Sequence, residues 1–211
     1  MTARGLTIFA VFQFCCGCIF GPHADAAVAV KCLPPCAMYQ IAITGVIDQQ
    51  TVEDFDKAIN DPRIIKTAKL SAPMVVLDTP GGSVIDAVLI GQTIRRSNFM
   101  TGVFEGAQCS SACVLILAAG VSRTANFGKV GIHRPHFDES AFAQLTQDQA
   151  RAKYNEMANG VRQYLLQMGM SENLYTAMLK VPSDQEPKVP GRCRIGAQKG
   201  GEHGNQQPQL E

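Results

Sequence analysis

The apolar positions of this chain fall into two alternating patterns. Short, nearly continuous apolar runs at Ile41–Gly45, Pro73–Asp78, Phe99–Phe104 and Lys129–Arg134 read as strands. Continuous rather than alternating hydrophobicity suits parallel strands buried on both faces. Segments with a spacing of three or four residues read as helices. Asp48–Asn60 places Val52, Phe55, Ala58 and Ile59 on one side, with Thr51 as a candidate cap and Asp61-Pro62 as its stop. Val84, Ile85, Val88, Leu89, Gly91 and Ile94 form the stripe of a second helix that ends at Arg95–Asn98. Val114–Ala119 has no charge to solvate any face and reads as a buried helix. Thr146–Met168 carries Ala150, Tyr154, Met157, Val161, Tyr164, Leu165 and Met168 along one side, and Thr146 with Gln149 resembles a capping box. Ser171 caps a last helix to Leu179, which Pro182 closes. Repeated strand–turn–helix units predict an α/β fold, a parallel sheet with helices outside it.

The two ends of the chain depart from this pattern. Arg4 precedes an apolar, uncharged run, Leu6–Phe20, and Ala24-Asp25-Ala26 is a small-x-small cleavage site. Residues 1–26 therefore read as a signal peptide, with the mature chain starting near Ala27. The apolar run is short for a membrane span, although retention as an N-terminal anchor is the alternative. Export implies a periplasmic or secreted protein. From Gln185 the chain turns rich in Gly, Gln, Lys and Pro, which predicts a disordered tail over 185–211. One domain, 27–184, is left between.

Composition narrows the classes of function. The chain has 211 residues, 46% hydrophobic and 18% charged, with a net charge of +1 and no basic block. Nothing there marks a nucleic-acid or anionic-membrane surface. Export leaves Cys32, Cys36, Cys109, Cys113 and Cys193 in an oxidising compartment, where disulfides are favoured over a four-thiolate zinc site. Cys32-Leu-Pro-Pro-Cys36 could close a small loop. Cys109 and Cys113 lie four apart where a helix begins, and such a pair on a regular helix does not suit disulfide geometry. They are expected to bond to distant partners, Cys32 and Cys36 first among them.

Chemistry concentrates in three turns. In parallel sheets functional groups gather at the carboxyl ends of strands, where Pro80-Gly81-Gly82, Cys109–Cys113 and the end of the strand carrying His133 would meet. Ser110 and Ser111 head the buried helix, so either is a helix cap or one is a nucleophile. A serine nucleophile needs a base, and His133 is the natural one near neutral pH. A Gly-Gly turn and a helix N-terminus both offer backbone donors to an oxyanion. His133 and His136 suggest a metal only weakly, since no third ligand lies near them in sequence; no metal is expected.

The motifs LDTPGGSVIDA, GAQCSSACVLILAAG and GKVGIHRP, in that order, resemble the Clp-protease proteolytic subunit within the Clp/crotonase superfamily, and most of all its exported relatives. The resemblance implies a spiral of strand–turn–helix units. It places the nucleophile on Ser111, the base on His133, the oxyanion donors on the backbone N–H groups of Gly82 and Ala112, and the carboxylate of a triad on Asp184. It implies a peptide or protein substrate, no cofactor and a homo-oligomer, with Met157, Val161, Tyr164 and Met168 as a candidate contact. Export removes the ATP that partner ATPases need, so no ATPase partner is expected. The alternatives are a crotonase-type acyl-CoA enzyme, which uses the same oxyanion hole for a thioester enolate, and a catalytically inactive scaffold of the same fold.

Overall fold

The computed structural model describes residues 27–137 and 139–183 and the backbone of 188–190. Residues 1–26 lie outside the described part. The described part opens with a hairpin, β1 (Ala27–Leu33) and β2 (Met38–Ile47), paired antiparallel from Ala27↔Thr44 to Leu33↔Met38. A Cys32–Cys36 disulfide closes its turn. Helix α1 (Gln49–Ile59) follows, then α2 (Pro62–Ala68), β3 (Met74–Gly82), α3 (Val84–Arg96) and β4 (Met100–Gly102). The chain continues through β5 (Gln108–Ser110), α4 (Cys113–Ala119), β6 (Arg123–Thr124) and β7 (Lys129–Gly131). The last described elements are a 3-10 turn at Glu139–Ala141, α5 (Gln147–Gln167), α6 (Glu172–Lys180) and β8 (Lys188–Pro190).

Strand β3 is the pivot of the sheet. One of its edges pairs in parallel with β2, from Ile41↔Val75 to Ile47↔Gly82. Its other edge divides. Met74–Val76 pairs with β4, whereas Thr79 pairs with Cys109 of β5. Beyond the fork, β4 pairs with β6, and β5 pairs with β7. The divided edge lets β5 end beside the Gly81-Gly82 end of β3. Alternate side chains of β3, Val75, Leu77 and Thr79, are fully buried. They belong to a core shared with Ile90 and Ile94 of α3 and with α4, every residue of which is buried. At about 25 cal/mol per Å2 of apolar surface, a fully apolar helix of this kind is stable only when enclosed.

Local chemistry explains where the elements begin and end. Asp48, not Thr51, caps α1: its Oδ1 accepts from Thr51 N–H at 2.9 Å, and Thr51 Oγ1 accepts from Asp48 N–H at 3.1 Å. Asp61-Pro62 does stop α1, but it also starts α2, with Asp61 as cap and proline in the first turn, where its missing N–H costs nothing. The capping box at Thr146 and Gln149 is present as read from the sequence. Two arginines close the C-terminal ends of α4 and α5. Arg95 Nη2 donates to Met168 O at 2.7 Å and to Ala118 O at 3.3 Å. Arg123 Nε donates to Gly120 O at 3.0 Å, and its Nη2 donates to Met168 O. Burial draws the Arg123 guanidinium below its ordinary pKa. The carbonyls it meets lie where two helix dipoles are negative.

Two expectations change here. Lys188–Pro190, inside the stretch read as a disordered tail, pairs antiparallel with β7, from Gly131↔Lys188 to Lys129↔Pro190; the open edge of β7 supplies a partner that composition does not register. Of the stripe Met157, Val161, Tyr164 and Met168, the last three are buried within the chain at 4–5% exposure and are not available to a second subunit, whereas Met157 is half-buried on the cleft edge. Helix periodicity marks an apolar face but not what covers it.

Tyr164 ties α5 to both inner helices. Its hydroxyl donates to Leu115 O of α4 at 2.9 Å. The same hydroxyl occupies the space that a Cβ on Gly91 of α3 would need. Gly91→Ala is expected to cost about 2 kcal/mol by overpacking, measured by urea unfolding. Tyr164→Phe should recover part of that loss in the Gly91→Ala background while being destabilising alone, a coupling a double-mutant cycle reads directly.

Candidate active site

The site grows from a sharp turn between a strand and a buried helix. β5 ends at Ser110, α4 starts at Cys113, and Ser111 between them has φ +56°. A left-handed backbone is disfavoured for a residue with a Cβ, and such strain collects at functional sites. Two backbone bonds hold it: Ser111 N–H donates to Gly131 O of β7, and Ser111 O accepts from Val114 N–H, each at 3.0 Å. Neither serine caps α4. Its cap position is Ala112, which makes no side-chain bond. The plain reading of the two serines, a capped helix start, is therefore absent.

The two hydroxyls have different surroundings. Ser110 is 1% exposed, and its Oγ has no hydrogen-bond partner among the described residues. Ser111 lines a small pocket with Ala112, Val84, Leu115, His133 and His136. His133 is 9% exposed. Its Nδ1 lies 2.7 Å from the carbonyl oxygen of Arg134. A carbonyl can only accept, so Nδ1 donates, and in the neutral imidazole this leaves Nε2 with its lone pair. No direct hydrogen bond joins Ser111 to His133.

Gly81 and Gly82 bring β3 against this turn. They have φ of +108° and +146°. A Cβ on Gly81 would stand 2.7 Å from both Ser110 O and Ser111 Cβ and 3.1 Å from Ala112 N. A Cβ on Gly82 would run into the backbone of Ile47, whose carbonyl accepts from Ser83 N–H at 2.8 Å. Only glycine permits both approaches. The first brings the end of β3 against Ala112, and the second seats Gly82 against β2. Gly82 also opens onto a cleft of about 490 Å3 lined by Val84, Ile85, His136, Phe137, Ala141 and Met157.

The structure thus gathers Ser111, Ala112 and His133 around one pocket, and Gly82 follows Gly81 on the edge of the adjoining cleft. Asp184 lies outside the described residues. Two participants were missed from the sequence. One is the Arg134 carbonyl, a backbone atom that no residue type announces. The other is His136, which lines both cavities; its spacing from His133 suggested only a metal. Among the described residues no cluster of three or more His, Cys, Asp or Glu could hold a metal ion. No helix there is long and apolar enough to cross a membrane.

The cysteine expectation is corrected. Cys109 bonds to Cys113, with Cα atoms 5.2 Å apart, and Cys32 to Cys36, at 5.0 Å. The reason is local. Cys109 sits on a strand and Cys113 on the first residue of a helix, so the pair never shares a regular helix and its separation falls in the disulfide range.

The sequence matches no protein-family model and no curated protein. Among solved structures the chain is similar to a serine-to-alanine mutant of a protein described as the 1510-N membrane-bound stomatin-specific protease, at 22% identity and a TM-score of 0.52, covering 70% of each chain. The chain has a protease-like fold. The mostly parallel sheet and six helices among its described residues agree with the Clp/crotonase-type architecture implied by the three motifs.

Gly81→Ala is expected to disturb this turn before any other part of the fold. Strain and overlap together should cost about 2–3 kcal/mol, lowering Tm by about 2–4 °C per kcal/mol for a chain of this size. Hydrogen exchange should show lost protection first at Ser111 and Val114, whose N–H groups make the turn's bonds.

Proposed function

We propose that this chain is an exported serine peptidase. One observation carries the reading: Ser111, held left-handed at a strand–helix turn, shares a pocket with His133, whose Nδ1 is already engaged. In the proposed reaction Ser111 Oγ attacks the scissile carbonyl and gives its proton to His133 Nε2. The carbonyl oxygen gains negative charge, which the N–H groups of Gly82 and Ala112 receive. The protonated imidazole then gives its proton to the leaving amine, and the acyl group stays on Ser111 Oγ. Water, deprotonated by His133, attacks the ester; the acyl–Oγ bond breaks, His133 returns the proton to Ser111 Oγ, and the acid is freed. Each step balances without a cofactor.

The Arg134 carbonyl orients His133 in this scheme, the task a carboxylate performs in a triad. Arg134 N–H donates to Val181 O at 2.9 Å, which supports Asp184, three residues further on, as a second group for the imidazole. The apolar lining of the 490 Å3 cleft supports an apolar peptide segment as substrate, and the neighbour described as a stomatin-specific protease supports hydrolysis of a protein. Export, through residues 1–26, is supported by the two disulfides. The absent Ser111–His133 hydrogen bond favours the second reading, an inactive scaffold.

An active-site-directed fluorophosphonate separates the two. It is expected to label Ser111, with Ser111→Ala abolishing labelling and Ser110→Ala largely preserving it. His133→Ala should slow labelling by about 10⁴-fold. Asp184→Asn should slow it far less, because Nδ1 is held by a carbonyl; a loss near 10⁴-fold would make Asp184 the principal orienting group. A folded wild type that is never labelled supports the scaffold.

A further inference from the structure

We infer that the Cys109–Cys113 disulfide is a positioning device for the nucleophile: it holds Ser111 in its left-handed, pocket-facing conformation. This rests on the assignment of Ser111 as nucleophile and goes beyond it, because it assigns the geometry of the turn to a covalent bond.

Four observations converge on this bond. It brackets Ser110, Ser111 and Ala112 and nothing else. Its two ends belong to different elements, the last strand before the turn and the helix after it. Ser111, midway between them, is the strained residue. Both cysteines are fully buried, at 0% exposure, so the bond sits inside the packing directly behind the turn.

The turn has an available alternative. Ala112 is already right-handed, at φ −58° and ψ −24°. Rotating Ser111 into the same region would extend α4 backwards by one residue and relieve the strain. That change would withdraw the Ser111 hydroxyl from the pocket and release its N–H from Gly131 O. Ser111 lies between the two cysteines, so rotating its backbone would swing Cys109 relative to Cys113 and alter the 5.2 Å Cα separation that the bond spans. The disulfide therefore opposes the helical extension. Gly81 blocks part of the same movement by lying against Ser111 Cβ, but it acts from one side only.

The size of the loop points the same way. A cross-link restricts the unfolded chain less as its loop shortens, and this loop is among the shortest a protein can close. The bond is thus poorly placed as a general staple and well placed as a local one. The Cys32–Cys36 bond has the same sequence separation of 4 and closes a hairpin turn at the far end of β2, so it serves as a matched control.

The test compares Cys109→Ala/Cys113→Ala with Cys32→Ala/Cys36→Ala in the mature chain. Fluorophosphonate labelling and peptide hydrolysis are followed, with thermal unfolding and near-UV circular dichroism as measures of fold. The first pair of changes is expected to lower the labelling rate and kcat by about 10²-fold, the scale of a roughly 1 Å misplacement, with KM within about twofold because the cleft that binds substrate is untouched. The control pair should leave the labelling rate unchanged. In the control background a dithiol reductant converts the remaining disulfide to two thiols and is itself oxidised to its disulfide; labelling should fall in proportion to the Cys109–Cys113 bond reduced and return on reoxidation. Full labelling without the bond, with the wild type labelled normally, overturns the inference. So does a loss of labelling that comes only with loss of the fold, which would make the bond a general staple. A wild type that is not labelled contradicts the peptidase assignment instead and takes this inference with it.

Discussion

Everything at the candidate site depends on how closely two pieces of backbone approach. The end of β3 can lie against the Ser110–Ala112 turn only because Gly81 has no side chain; a single methyl group would stand 2.7 Å from Ser111 Cβ. Gly82 makes a second approach, to Ile47 of β2. The two contacts lock three neighbouring strand ends together at their carboxyl edge. Open α/β sheets place their functional groups at that edge, and here the reason is visible in the packing. The fork of β3 frees the edge that β5 needs in order to arrive there.

The helix behind the turn makes this arrangement rigid. α4 is only seven residues long and wholly buried, too short to be stable alone in water. It is held by the core around it, by Tyr164 at Leu115 O, and by the arginines at its C-terminal end. Its N-terminal end has no side-chain cap, which keeps a backbone donor free for a ligand rather than satisfied internally. The site thus uses a device whose helical cost is met by tertiary packing. Strain at Ser111 persists because strand, glycine and disulfide constrain it from different sides.

Much of this was legible in the sequence. The uncharged run Val114–Ala119 could only be buried, and the Pro-Gly-Gly and Cys-Ser-Ser-Ala-Cys turns stood out as small-residue stretches at strand ends. The side-chain-capped starts of α1, α3 and α5 were read to within a residue. What failed had physical causes. Helix α2 was hidden because Asp61-Pro62 is both a stop and a start. The disulfide pairing was misjudged because the Cys109–Cys113 spacing was read as helical, and periodicity does not reveal a left-handed residue such as Ser111. The apolar face of α5 was visible, but not that α3 and α4 already cover it. The Arg134 carbonyl beside His133 is backbone, and no residue type encodes its position.

The central claim is that Ser111, and not its neighbour, presents the reactive hydroxyl between two backbone donors. The most direct measurement is a crystal structure of the protein after reaction with a fluorophosphonate. The account predicts phosphorus bonded to Ser111 Oγ, with the phosphoryl oxygen between the N–H groups of Gly82 and Ala112 and His133 Nε2 facing the adduct. Phosphorus on Ser110, or a phosphoryl oxygen turned away from both donors, would contradict it.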